Sequence, residues 1–261
     1  MEIVVCVKQV PGTTEVKLDD KGNLIRDGID SKMNPYDLYA IETALKIKEE
    51  KEATINVITM GPPQSEAVLR EAFMMGADEG YLLTDRRFAG ADVLATAYAL
   101  AQGTKKTGNP QLIICGKQTT DGDTAQVGPE MAEYLDIPHV ANVKRIVEVK
   151  DQSVVVEMDM PTTLETVEIQ FPCLITVEKG IFQPRLPSYK RKKETKSKEI
   201  TCLTLKDLED QNEKYYGSSG SPTQVERIFP PAVNTDKEVW TGSGEVLGDR
   251  LYQKLVELKF L

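Results

Sequence analysis

Four short apolar runs punctuate the first half of the chain: Ile3 to Val7, Thr54 to Met60, Gly80 to Leu83 and Gln111 to Cys115. Each has the length of a strand and little polar alternation, as strands covered on both faces do. Between them the apolar positions recur with helical spacing. In SKMNPYDLYAIETALKIKEE, Leu38, Ile41 and Leu45 form one stripe. Asn34 is placed to cap that helix, Pro35 suits its first position with φ already set, and Asp37 faces the positive end of the helix dipole. A second helix opens at Gly61-Pro62-Pro63, carries Val68, Leu69, Ala72 and Phe73, and stops near Gly76, where glycine can take the left-handed turn. A third spans 91–102 and a fourth surrounds 128–135. This alternation predicts an α/β protein with an open, mostly parallel sheet and helices on both faces.

Beyond 140 the period falls to two. Val143 to Val149 and Val154 to Met158 flank Lys150-Asp151-Gln152 and read as a small antiparallel hairpin, with further strands at Thr166 to Gln170 and Cys173 to Val177. Residues 183–199, QPRLPSYKRKKETKSKE, show almost no periodicity and hold Arg185, Lys190, Arg191, Lys192, Lys193, Lys196 and Lys198. That is an exposed basic loop, either a solvated linker or a docking loop for an acidic partner, because local charge steers encounter. A Gly/Ser/Pro-rich arm over 212–236 precedes a short amphipathic helix over 244–261. An arm with so few core-forming residues is not expected to fold alone, which puts Val225, Ile228, Phe229 and Trp240 on another subunit. The expected division is an α/β domain over 1–200 and a C-terminal arm and helix over 201–261 that pack on a partner subunit.

The chain has 261 residues, enough to bury a sizeable core, and 41 acidic against 32 basic residues give a net charge of -9. Binding to nucleic acid or to an anionic membrane is therefore disfavoured. The opening MEIVVCVKQVPG has no basic leader, and its apolar run is far shorter than a membrane span, so the chain reads as cytoplasmic. Cys6, Cys115, Cys173 and Cys202 form no CxxC pair and read as reduced thiols, three of them in or beside apolar runs. His139 is the one histidine, and a single imidazole without clustered thiols builds neither a zinc site nor a Ser/His/Asp relay. Chemistry is left to backbone groups, hydroxyls, carboxylates or a bound cofactor.

The stretch GKQTTDGDTAQV directly follows the strand at Gln111 to Cys115 and precedes a helix. In an open parallel sheet, ligands sit beyond the carboxyl ends of the strands, where free N–H groups at helix starts point outward. A nucleotide phosphate suits that place. Gly116 and Gly122 allow close backbone approach, and Thr119, Thr120 and Thr124 offer hydroxyls. Asp121 and Asp123 are less comfortable beside phosphate and are assigned to capping backbone N–H groups or accepting from sugar hydroxyls. A loop-to-helix cap without any ligand is the alternative. The ends of two other strands, Cys6-Val7-Lys8 and Met60-Gly61-Pro62-Pro63, should converge on the same crevice, and neither a GxGxxG fingerprint nor a P-loop is present.

VVCVKQVP, MNPYDLYAIETAL, VITMGPPQ, MGAD and GKQTTDGDTAQVGPE occur in this order over most of the chain, which thereby resembles the beta subunit of electron-transfer flavoprotein. The resemblance implies a fold like that of adenine-nucleotide alpha hydrolases, and a heterodimer with an alpha subunit that holds one FAD. It also implies a nucleotide pocket in this chain. Carried to matching positions, the pocket comprises Cys6, the helix start Asn34, Pro35, Tyr36 and Asp37, Met60, and the loop from Gly116, Lys117 and Gln118 through Ala125, Gln126 and Val127. The pocket role of residues 34–37 rests on the resemblance alone. Ordinary members hold AMP there, whereas electron-bifurcating members hold a second FAD that accepts hydride from NADH. The ITMGPP and DGDTAQVGP stretches resemble the bifurcating group, which implies FAD, NADH as donor, and electrons passing to a ferredoxin and, through the alpha-subunit flavin, to a partner flavin dehydrogenase. Gly61, Pro62 and Pro63, lacking bulk, are assigned as the floor for the nicotinamide. In the family a leucine near PR…LP… plugs into the dehydrogenase; here Leu186 or Tyr189 must serve, flanked by Lys190 and Arg191, and the partner is an acyl-CoA or a 2-hydroxy-acid dehydrogenase.

Overall fold

The computed structural model describes residues 1–12, 31–226 and 237–261. Strand β1 (Glu2–Cys6) runs into a small antiparallel pair, β2 (Gln9–Pro11) and β3 (Ser31–Met33), before helix α1 (Pro35–Glu50) and strand β4 (Thr54–Met60). Helix α2 (Glu66–Met75) leads to β5 (Glu79–Leu83), α3 (Val93–Thr104) to β6 (Leu112–Gly116), and α4 (Val127–Leu135) to β7 (His139–Val149). Strands β8 (Ser153–Asp159), β9 (Leu164–Gln170) and β10 (Cys173–Val177) follow, then a short helix α5 (Tyr189–Glu194), strand β11 (Thr201–Leu203) and helix α6 (Gly244–Glu257).

Among the described residues, nine strands form one sheet in the order β11-β5-β4-β1-β6-β10-β7-β8-β9. The pairs from β11 through β7 are parallel, and β8 and β9 add antiparallel strands at one edge. Alternate residues of the central strands face opposite ways. Ile3 and Val5 of β1 pack with Ile41 of α1 and Leu69 and Phe73 of α2, while Val4 and Cys6 pack with Leu100 of α3 and Met131 of α4. Helices on opposite faces follow from connections that leave β1 in one direction and return past it to β6 in the other, each right-handed. The point where the order reverses lies between β1 and β6.

Local sequence explains several helix ends. Pro35 occupies the first turn of α1, and α2 stops at Gly76 with φ 135, where a Cβ would come within 2.9 Å of Leu45. Asp92 caps α3 by accepting from the Ala95 amide at 3.1 Å.

The strand expected at Cys173 to Val177 forms as β10, in the parallel core between β6 and β7 with all five of its residues buried. Two expectations need correction. The basic stretch 183–199 contains helix α5, started by the Ser188 hydroxyl, which accepts from the Arg191 amide at 3.3 Å. The segment just past 200 is not an arm: β11 extends the main sheet beside β5, and Leu203, Leu205, Leu208 and Tyr216 are buried in the core. The pair β2–β3 was not anticipated, since three-residue strands carry no periodicity. Val225 is exposed, whereas Ile228 and Phe229 lie outside the described residues. Helix α6 buries none of its residues in this chain. Among the described residues, no helix is long and apolar enough to cross a membrane, and no cluster of three His, Cys, Asp or Glu side chains is placed to hold a metal.

Candidate functional site

The carboxyl ends of β1, β4 and β6 lie side by side, with Cys6 in register with Ile58 on one neighbour and Cys115 on the other. Three segments meet above them: the tail of β1, the start of α1 and the loop 117–126. Asn34 is the joint. It is fully buried, and it stands at the cap position of α1 without capping its own helix. Its amide nitrogen donates to Asp37 Oδ1 at 2.8 Å and to the Gln118 carbonyl at 2.9 Å, while its amide oxygen accepts from the Thr120 N–H at 3.2 Å. The expected capping role is thus replaced by a link to a loop 84 residues away.

Asp37 completes the joint by accepting from the Lys8 N–H through Oδ2 at 2.7 Å. Burial pushes its carboxyl up to about 7, against the hydrogen bonds from Asn34 and the Lys8 amide. Gly116 is required here, because a Cβ would stand 2.5 Å from Asp37 Oδ1 and 2.7 Å from the Tyr36 carbonyl carbon. The first turn of α1, with Pro35 and Tyr36, therefore lies directly against the end of β6.

Loop 117–126 is largely exposed, and both of its acids take side-chain partners within this chain. Asp121 pairs with the Lys8 ammonium, 2.8 and 2.7 Å from its two oxygens. Burial works to raise the Asp121 carboxyl, but the Lys8 charge with its hydrogen bond outweighs that and holds it below the usual range. Asp123 accepts from the Gln118 side chain at 2.5 Å. Neither acid caps α4, whose N-terminus at Gln126 has no side-chain cap. The amides of Val127 and Gly128 in that first turn are left to other partners. Thr119 accepts from the Gly122 amide at 3.3 Å through its hydroxyl, and Thr120 and Thr124 are exposed. Asp123 and Ala125 both have φ 56, a left-handed conformation found where backbone amides form concave anion sites.

The remaining expected residues fall into place unevenly. Lys117 is engaged by Glu178 at 2.6 Å. Cys6 turns its thiol into the core, 3.9 Å from the Met131 sulfur, so it lies beneath the crevice. Met60 is half-buried at the end of β4, followed by Gly61 and an exposed Pro62. A Cβ on Gly61 would stand 2.3 Å from the Ser65 hydroxyl, which itself donates to Gln9 at 3.2 Å. Ser65, just past residues 60–62, is thus tied to Gln9 of β2. Sequence reasoning noted Lys8 as a strand end but missed the pairing of its ammonium with the acidic loop, whose signal is a lysine placed just past a buried strand.

The stretch expected to dock a partner sits apart from this crevice. Leu186 is 88% and Tyr189 71% exposed. Arg185 anchors it by a double contact to the buried Glu42 of α1, at 2.9 and 2.8 Å, and a further one to Glu49 at 2.7 Å. Lys193 lies 4.9 Å over the Tyr189 ring, and Lys190 is 3.8 Å from Glu194.

A nucleotide phosphate fits this donor set: an exposed loop of small and hydroxyl residues, left-handed backbone at two positions and an uncapped helix start, all at the switch point of a parallel sheet. The fold defines the class, a doubly wound α/β domain with a mostly parallel sheet. A family model described as the electron transfer flavoprotein domain matches residues 21–208. An electron transfer flavoprotein subunit beta of Thermoanaerobacterium thermosaccharolyticum is 44% identical over 258 residues, covering 98% of each chain. The caffeyl-CoA reductase-Etf complex subunit CarD of Acetobacterium woodii is 44% identical over 261 residues, again covering 98% of each. Protein FixA of Azorhizobium caulinodans is 38% identical over 244 residues, covering 91% of this chain and 87% of the relative. The chain belongs to the beta-subunit family of electron transfer flavoproteins.

Proposed function

We propose that this chain is the beta subunit of an electron-bifurcating electron transfer flavoprotein, and that its crevice holds FAD where other members hold AMP. The observation that carries the reading is the Asn34 joint, which fixes the start of α1 and the loop 117–126 at the switch point of the sheet. Support for FAD comes from the ITMGPP and DGDTAQVGP stretches and from the name of one relative, a subunit of a reductase-Etf complex.

In this reading the chain's own residues bind and orient. The amides at the start of α4 and the hydroxyls of Thr119, Thr120 and Thr124 receive the phosphates, an arrangement that works in an acidic protein because backbone dipoles carry the interaction. Gly61 and Pro62 leave a low wall on the β4 side where the nicotinamide of NADH can approach. The flavin, when bound, supplies the hydride and single-electron chemistry, and the protein supplies position and electrostatics. The partners are an alpha subunit holding a second FAD, a ferredoxin, and a flavin dehydrogenase of the acyl-CoA or 2-hydroxy-acid type, the last docking on Leu186 and Tyr189 within the rim of Lys190 and Arg191. The work takes place in the cytoplasm.

The test is anaerobic mixing of the complex with NADH and ferredoxin, with and without the dehydrogenase and its acceptor. Reduction of ferredoxin that depends on the acceptor supports the reading. NADH left unoxidised under all conditions contradicts it and favours a structural AMP.

A further inference from the structure

Lys8 carries its side chain 44% exposed, yet its backbone is among the best anchored in the crevice. Its N–H donates to Asp37 at 2.7 Å, and its carbonyl accepts from the Asn34 N–H at 2.9 Å. A flexible ammonium therefore starts from a fixed point at the end of β1, beside the reversal of strand order. In this structure the ammonium is held by both oxygens of Asp121, at 2.8 and 2.7 Å. An oxyanion accepting charge-assisted hydrogen bonds from a lysine is chemically what a phosphate offers in the same place.

Charge makes the arrangement informative. The loop brings Asp121 and Asp123 to the crevice, while the Lys117 ammonium is engaged by Glu178 at 2.6 Å. A diphosphate entering there meets like charge unless a cation is redirected toward it. Asp121 is one-third exposed, so returning it to water costs little.

We propose that Lys8 is the cation for the diphosphate of the bound dinucleotide, and that Asp121 is a stand-in anion which the diphosphate displaces. This rests on the nucleotide reading of the crevice. It differs from a simple latch between β1 and the loop in a sign: removing a latch from either side loosens the site, whereas removing a competitor tightens it.

The experiment uses the full chain purified with its partner subunit, as wild type, Lys8→Met, Lys8→Arg and Asp121→Asn. Nucleotide released by acid is counted per complex, and FAD and AMP are titrated back into stripped complexes. Lys8→Met should weaken FAD binding by about tenfold or more, and Lys8→Arg should recover most of it. AMP, with one phosphate, should lose less. Asp121→Asn should bind FAD as tightly as wild type or more tightly. Equal weakening in Lys8→Met and Asp121→Asn, or unchanged binding in Lys8→Met, overturns the proposal. A wild-type complex that neither carries nor rebinds adenine nucleotide overturns the reading of the crevice, and this inference with it.

Discussion

Two parts of the C-terminal region share an open, polar composition and behave in opposite ways. Residues 201–221 fold into their own domain: β11 lines the sheet edge, and Tyr216, 1% exposed, lies 5.5 Å from the Phe88 ring and 5.3 Å from that of Tyr98. Gly217, with φ 54, makes this packing feasible, since a Cβ there would stand 2.1 Å from the Arg87 carbonyl. Helix α6 buries nothing, and Val246, Leu251, Tyr252 and Val256 all face outward. The difference is geometric. The first segment brings a few large side chains to a surface left open by α3 and the sheet edge. The second carries an apolar stripe with no counterpart among the described residues.

Substitutions should separate what the domain holds for itself from what it presents to others. The largest effect is expected at Tyr216. Its replacement by alanine removes a buried ring and the hydroxyl that donates to the Asp210 carbonyl at 2.5 Å, and should cost about 3–5 kcal/mol in denaturant unfolding. A loss below about 1 kcal/mol would place this segment with α6 instead.

Asp37 gives a pH dependence of nearly comparable size. Its folded value of about 7 lies above the ordinary 3.8, so the folded chain holds this proton more tightly than the unfolded one. The resulting stability is complete below about pH 4 and is lost as pH rises to about 7, by at most about 4 kcal/mol. Wild type should therefore lose stability relative to Asp37→Asn between pH 5 and pH 8. A difference that stays flat across that range contradicts the buried, proton-holding carboxyl.

At Glu42, which is buried and doubly bound by Arg185, replacement by glutamine should cost about 1–3 kcal/mol. It should also speed tryptic cleavage at Lys190 to Lys193, because the anchor of that stretch on α1 is weakened. Unchanged cleavage would mean that α5 is held by its contacts with α2 alone. The smallest effect on folding is expected at Leu251→Ser in α6, within about 0.5 kcal/mol for the chain by itself. The same variant should lower recovery of the partner subunit in co-purification. Destabilisation of the chain alone would show that α6 packs on its own domain.

Most of the sheet was legible from the chain. Thr54 to Met60 is a strand with the boundaries its apolar run suggests, and α2 ends at Gly76 for the stated reason. Long uniform runs and helix stops are local signals, so local reasoning finds them. The short elements escaped it: β11 is three residues, and its burial comes from β5 and not from its own pattern. Asn34 shows the limit at the site. An asparagine directly before a proline that opens a helix reads as a cap, and nothing nearby reveals that its amide reaches Gln118 and Thr120 instead. The Lys8–Asp121 pair spans 113 residues and was invisible for the same reason.

The central claim is that the crevice joined by Asn34 grips a second flavin dinucleotide. Its most direct measurement is the count of FAD and AMP released from the purified complex of this chain with its alpha subunit. The account predicts two FAD and no AMP per complex. One FAD with one AMP would contradict the bifurcating assignment, and one FAD with no second adenine nucleotide would contradict the site itself.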